Sequence, residues 1–332
     1  MSRKRMALLT TLMILALLWN LSIGTLALDW IALFDHASVT HKVFWELRLP
    51  RASQAMLTGL LLALTGAVAQ TLFRNPLADP SLIGVSAGAA LGAVTLLSVG
   101  GSVVGLTTAS LAYAVPLISF ASGLLTTLLI LKLASRYQGV AMTGILLVGM
   151  AVNAIATAWI GAMKYFADDQ ALRDASFWLL GHFGQTEGWQ IGVLALTTLL
   201  VVVPLMGKAQ TLNIWLLGEQ PARHLGVDVN RLRWQLVCLS SLGVAVAVSF
   251  AGLIGFVGLM VPHVVRLWTG PDNRHVLPES ALVGAIMLLV ADALSRLVLS
   301  PSELPVGILT ALAGGPFFLL LIHLRYRESG HA

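Results

Sequence analysis

Residues 80–131 form a run of 52 residues without a single Asp, Glu, Lys or Arg. That run is more than twice the ~20 apolar residues that carry a helix once across a bilayer. It therefore predicts two crossings, with the turn at Gly100-Gly101-Ser102. Further uncharged runs lie at 52–73, 137–163, 188–207, 234–265 and 304–324, and 281–299 is apolar apart from Asp292 and Arg296. Only 11% of residues are charged, against about 25% in soluble domains. With 57% hydrophobic residues and a mean hydropathy of +0.86, this chain cannot clothe a soluble core. A soluble enzyme, a nucleic-acid binder and a disordered protein are excluded.

The working spans are 6–28, 52–73, 82–99, 111–131, 140–163, 189–206, 234–250, 254–265, 281–299 and 304–324. The first is read as a retained span behind Arg3, Lys4 and Arg5, because 23 apolar residues exceed a signal-peptide core. The 254–265 element is too short to cross alone as a straight helix. With ten crossings and a cytoplasmic start, 14 Lys and Arg fall inside and 6 outside; treating 234–265 as one span gives 11 against 9. The excess of positive charge on the cytoplasmic side favours ten, with both termini cytoplasmic. The net charge of +5 thus reads as topology charge.

Within the spans, Gly84, Gly88 and Gly92 share one helix face, and Gly252, Gly255 and Gly258 form a second small-residue run. Both predict close helix packing, since lipid supplies no hydrophobic drive between helices. Asp292 and Arg296 stand four apart. They read either as a structural ion pair with Arg296 snorkelling outward or as an intramembrane functional site. No phosphate-cradling G-x-x-x-x-G-K-[ST] and no H-E-x-x-H occur, and the eight histidines are scattered. Cys238 is the one cysteine, so neither a disulfide nor a cysteine metal cluster is expected. Metal-binding and catalytic residues are accordingly expected to be none.

Between the sixth and seventh spans, about 207–233, apolar Leu212, Trp215, Leu216 and Leu225 mix with charged Glu219, Arg223 and Asp228. Two short helices broken at Gly218 and Gly226 fit this pattern. The loop either folds onto its own membrane end or offers a docking surface to a soluble subunit.

Several motifs then fall in order. Residues 48–51 read Arg-Leu-Pro-Arg, 66–70 Gly-Ala-Val-Ala-Gln, 75–80 Asn-Pro-Leu-Ala-Asp-Pro, and 84–88 Gly-Val-Ser-Ala-Gly. Residues 251–263 read Ala-Gly-Leu-Ile-Gly-Phe-Val-Gly-Leu-Met-Val-Pro-His, followed by Arg266, 303–307 (Glu-Leu-Pro-Val-Gly) and 314–317 (Gly-Gly-Pro-Phe). This set resembles the FecCD-type permeases, the membrane subunits of ATP-driven importers for iron–siderophore complexes, heme and vitamin B12. The resemblance covers about 40–325. It implies an all-α type II ABC importer permease of about ten transmembrane helices, one permease domain over 1–332, in the bacterial inner membrane.

The resemblance also implies partners. These are a second permease copy or a homologous permease, two ATPase subunits carrying ATP and Mg, a periplasmic substrate-binding protein, and membrane lipid but no nucleic acid. No cofactor is expected in this chain. Coupling to the ATPases falls on Leu212, Leu217, Gly218, Glu219, Ala222, Leu225 and Gly226. Docking of the binding protein falls on Arg48, Arg51 and Arg296, with membrane-edge anchoring as the plain alternative for the first two. The pathway falls on the 140–163 helix, with a gate at Ala141, Met142 and Thr143. Asn153 and Thr157 either face the channel or bond between helices. Arg173 either meets an anionic substrate or pairs with Asp169 or Asp174. Iron–siderophore is the first substrate reading, heme the second and cobalamin the third. A stand-alone secondary transporter is the rival, and it lacks a relay of ionisable groups within the spans.

Overall fold

The computed structural model describes residues 2–24, 26, 29, 32–100, 105–135, 141–184 and 186–329. Its helices are α1 (Ser2–Ser22), α2 (Val39–Lys42), α3 (Leu49–Leu72), α4 (Val85–Val99), α5 (Thr108–Ala134), α6 (Ala141–Phe166) and α7 (Asp169–Leu180). They continue as α8 (Gly188–Gly207), α9 (Ala209–Leu216), α10 (Glu219–His224), α11 (Val229–Ala251), α12 (Val257–Thr269), α13 (Asn273–Val298) and α14 (Val306–Ser329). Among the described residues there is no strand. Among the described residues, seven helical stretches are long and apolar enough to cross a membrane; α4, α12 and the apolar part of α14 are shorter. Each of the ten working spans overlaps one helix.

α3 forms the axis of the bundle and packs against α8, α11, α12 and α13. Its wide-turned entry Val43–Arg48 lets α2 run on into it. Small residues make the contacts close: Gly59 meets the backbone of Gly284, and Gly66 meets that of Gly258, with no room for a Cβ at either place. Packing of this kind replaces the hydrophobic drive that lipid cannot supply. Gly88 and Gly92 press on Thr126 and Ser122 of α5, as the four-residue spacing predicts. Gly84 meets Ile130 and Thr126 of the same helix, and it turns left-handed (φ 80°) to join the short turn Pro80–Ile83 to α4. α1, α6 and α8 lie at the rim with large apolar side chains exposed, among them Leu15, Met150 and Leu199.

The break predicted at Ala251-Gly252 is present: α11 stops at Ala251, and an irregular stretch precedes α12. Residues 101–104, which include most of the other predicted break, lie outside the described residues. Two span boundaries shift. α1 runs from Ser2 to Ser22 rather than over 6–28, because guanidinium groups from α3 and α13 cap its last carbonyls, as described below. α13 starts at Asn273 rather than 281. The Asp272 carboxylate caps its first turn, and Glu279 gains a cation in Arg5 at 3.4 Å.

The bundle has two polar ends. One gathers Arg5, the end of α3, the α8–α11 loop and the α12–α13 turn; Arg5 donates to Trp268 O and Trp215 to Leu72 O. The other gathers the end of α1, the start of α3, the α7–α8 loop and the end of α13. Under the expectation of a cytoplasmic start, the first is the cytoplasmic end and the second the outer end.

Candidate functional site

At the cytoplasmic end, both predicted glycine breaks stand. Gly218 (φ 124°) separates α9 from α10, and Gly226 (φ 82°) ends the turn after α10. Both conformations are open to glycine and strained for other residues. The α9 face turned inward carries Leu212 and Trp215, each fully buried, and Ala222 of α10 is buried beside them. This corrects the expectation for Leu212 and Ala222: they pack onto the chain's own bundle and offer nothing to a partner. Leu217 and Leu225 are 65% and 60% exposed, and Gly226 is exposed with them. Glu219 lies between, accepting from Arg223 at 2.9 Å and Arg233 at 3.3 Å.

The same loop is tied to the bundle by hydrogen bonds from uncharged donors. Trp215 Nε1 donates to Leu72 O at 3.1 Å, at the last turn of α3, with the Arg74 guanidinium 4.9 Å from the ring centroid. Asn213 Nδ2 donates to Asp272 Oδ1 at 2.6 Å, and Asn213 Oδ1 accepts from Asn273 N (2.8 Å) and Nδ2 (2.9 Å). Asn273 Oδ1 accepts from Thr71, and Thr71 from Arg266. One chain of bonds thus joins α9 to α13, α3 and α12. Arg274 beside Asp272 holds that carboxyl far below the usual carboxylate range, so the latch keeps its acceptor ionised.

At the outer end, Arg48, Arg51 and Arg296 converge, but not as free arms. Arg48 is 6% exposed. Its guanidinium donates to the carbonyls of Leu21 (3.0 Å), Ser22 (3.3 Å) and Leu26. Arg51 Nε donates to Asp292 Oδ1 at 2.8 Å, while its Nη1 takes both oxygens of Glu303 at 2.9 and 2.8 Å. Arg296 donates to Asp292 Oδ2 at 3.0 Å and to the carbonyls of Ile23 and Asn20. Arg296 does not snorkel: its side chain is 10% exposed and Asp292 is fully buried. The ends of α1 are what these cations neutralise, since terminal helix carbonyls lack partners of their own. Arg48, Arg51, Arg296, Gly184, Pro301 and Glu303 line a cavity of about 400 Å³. His182 lies close by, and burial, with Arg51 near it, pushes its pKa down.

α6 carries the residues expected to line the pathway. Thr157 bonds to Asn153 O of its own helix, and Asn153 Nδ2 reaches Ser81 O at 3.5 Å. Bonding within and between elements is therefore what the polar pair does here, and Thr157 remains exposed. Ala141, Met142 and Thr143 start α6, and their side chains lie outside the described residues. Arg173 is exposed and donates to Gln170 at 3.3 Å. Among the described residues it makes no ion pair with Asp169 or Asp174.

Two motifs without a sequence-level role also meet. Asp79 and Ser81 face Ile254 and Phe256 across a cavity of about 320 Å³, closed by Val244 and Val248 of α11. Asp79 Oδ1 accepts from Ser81 N at 2.8 Å, which holds the turn Pro80–Ile83 in place. The signal for this site was there in the non-helical residues of 75–80 and the glycines of 251–258, but spacing alone does not join segments so far apart.

The comparisons agree with one another. The FecCD transport family matches residues 12–324. The hemin transport system permease protein HmuU of Yersinia pestis is 38% identical over 332 residues, covering 98% of this chain and 97% of the relative. The vitamin B12 import system permease protein BtuC of Salmonella typhi is 39% identical over 316 residues, covering 95% and 93%. A solved inward-facing ABC transporter, assigned to the metal-chelate type, superposes with a TM-score of 0.85. It shares 32% identity, with 97% of this chain and 99% of that one covered. PsaBC from Streptococcus pneumoniae in complex with Fab gives 0.56 at 17% identity over 84% and 92%, a likeness of fold alone.

Proposed function

The chain belongs to the FecCD transport family and is an ABC importer permease, and from that premise we propose that its cargo is an iron complex, a siderophore chelate or heme, carried across the bacterial inner membrane. Permeases of this family work with ATPase subunits and a substrate-binding protein, and the ATP is hydrolysed on the ATPase. The observation that carries the reading is the full-length likeness to a hemin permease. The equal likeness to vitamin B12 permeases supports cobalamin as the second reading.

In this reading two copies of the chain assemble, with the exposed apolar face of α6 (Leu147, Met150, Ile155 and Trp159) turned toward the partner copy and the pathway. Each copy meets one ATPase through Leu217, Leu225 and the backbone at Gly218 and Gly226. Glu219 sets the loop's rim charge. Closure of the ATPase pair displaces α9 and α10, and the bonds of Trp215 and Asn213 carry that displacement into α3 and α13. A conformational drive needs contacts that differ between two states, and the exposed leucines supply them when the ATPases close. The outer arginines receive acidic side chains of the binding protein.

Uptake assays decide among the cargoes. The permease, its ATPase and its binding protein in liposomes should accumulate ferric siderophore or hemin on addition of MgATP. Accumulation of cobalamin alone would replace the first reading with the second.

A further inference from the structure

We infer that Glu303 is a built-in occupant of the outer arginine socket, and that docking of an acidic partner proceeds by exchange of its carboxylate for that of Glu303. The inference rests on the docking reading above and goes beyond it.

The cluster contains two acids, and they differ in burial. Asp292 is fully buried and shared between Arg51, Arg296 and Asn20. It is part of the fold. Glu303 is half exposed, at 50%, and its carboxylate touches a single cation. Both of its oxygens fall on one nitrogen, Arg51 Nη1. The stronger arrangement places one oxygen on each of two guanidinium nitrogens. Glu303 therefore holds Arg51 by the weaker geometry.

Charge points the same way. Three guanidinium groups face two carboxylates, so the socket keeps one uncompensated positive charge, and Arg48 has only carbonyls around it. A cavity of about 400 Å³ opens beside them, with Glu303 in its wall. Glu303 sits in the α13–α14 connection, where Leu304 N is tied to Ser295 O at 3.0 Å. The side chain can swing into solvent while its backbone stays anchored. An incoming Asp or Glu then takes Arg51, and the released Glu303 pays its desolvation back to water. Glu303 thus lowers the charge of the socket between docking events without a permanent lock.

The test uses the full-length permease in lipid nanodiscs and the purified binding protein encoded with it, with affinity read by surface plasmon resonance. Glu303→Gln removes the competitor and should tighten docking about two- to fivefold, the range for a half-exposed ion pair. It should also steepen the salt dependence, because the socket gains net positive charge. Glu303→Ala should act in the same direction, which separates lost charge from a new amide contact. Unchanged or weaker docking in both variants would overturn the exchange. The docking reading has its own arms: wild-type docking should weaken as salt rises, and Arg51→Gln should cost at least about tenfold. If those arms fail, the docking reading falls, whatever Glu303 does. Thermal unfolding of each variant in the nanodisc checks that the bundle is intact.

Discussion

The outer end of this permease and its cytoplasmic loop are fastened by different chemistry. The outer end is ionic: three arginines, two acids and the carbonyls that finish α1. The cytoplasmic loop is held by an indole, two amides and a buried apolar face, with its ion pairs kept at the rim. Ionic contacts can be exchanged with a partner's charges and respond to salt. Short-range bonds from buried amides and an indole to fixed acceptors are directional, and suit an element that must carry a displacement without slipping. An end that captures and releases is built from the first kind, and an end that transmits force from the second.

The sharpest way to break this contrast is at Asp292. Asp292→Asn leaves Arg51 and Arg296 half-paired inside the bundle and should cost about 3–5 kcal/mol, read by thermal unfolding in detergent. A cost below 1 kcal/mol would show that the outer cluster is not needed to hold α1, α3 and α13 together. Next is Asn213→Ala, which leaves Asn273 N and Nδ2 without their acceptor and removes one donor from Asp272, and which should cost about 1–3 kcal/mol. Its separate signature is functional: ATP hydrolysis by the assembled importer continues while uptake falls, and Asn213→Gln restores part of it. Parallel loss of both activities would make Asn213 merely structural.

Smaller effects sharpen the comparison. His182 belongs to the outer end, and its pKa is depressed from 6.5 in the fold. Its contribution is fully present above pH 6.5 and is lost as pH falls from there toward the folded value, because the unfolded chain takes the proton first. Stability measured against pH should decline on mild acidification, and His182→Gln should flatten that decline. Leu225→Asp should change stability by no more than about 0.5 kcal/mol, since the side chain is already exposed. Yet the ATPase should no longer co-purify with this variant.

Much of this was legible in the sequence, for stated reasons. The uncharged runs and the distribution of Lys and Arg report membrane depth directly, and Gly218, Gly226 and Gly252 mark breaks at positive φ, where other residues are strained. The inward placement of Leu212 and Ala222 was not legible. α9 spreads Leu212, Ile214, Trp215 and Leu216 around much of its circumference, with Gln210, Thr211 and Asn213 between them, so its pattern does not say which side meets the bundle. Arg48 misled for a different reason. An arginine at a span edge reads as an outward anchor, but its partners are carbonyls 22 to 27 residues earlier, and Arg51 pairs across 241 residues with Asp292. Such contacts exist only once α1, α3 and α13 have assembled.

The central claim is that this chain moves its cargo only when separate ATPases move its cytoplasmic loop. Reconstitution into sealed liposomes, with binding protein and chelate outside and MgATP enclosed, tests it most directly. The account predicts accumulation of labelled chelate when the ATPase and MgATP are both present, and none from the permease alone under a proton or sodium gradient. Accumulation by the permease alone under such a gradient would contradict it.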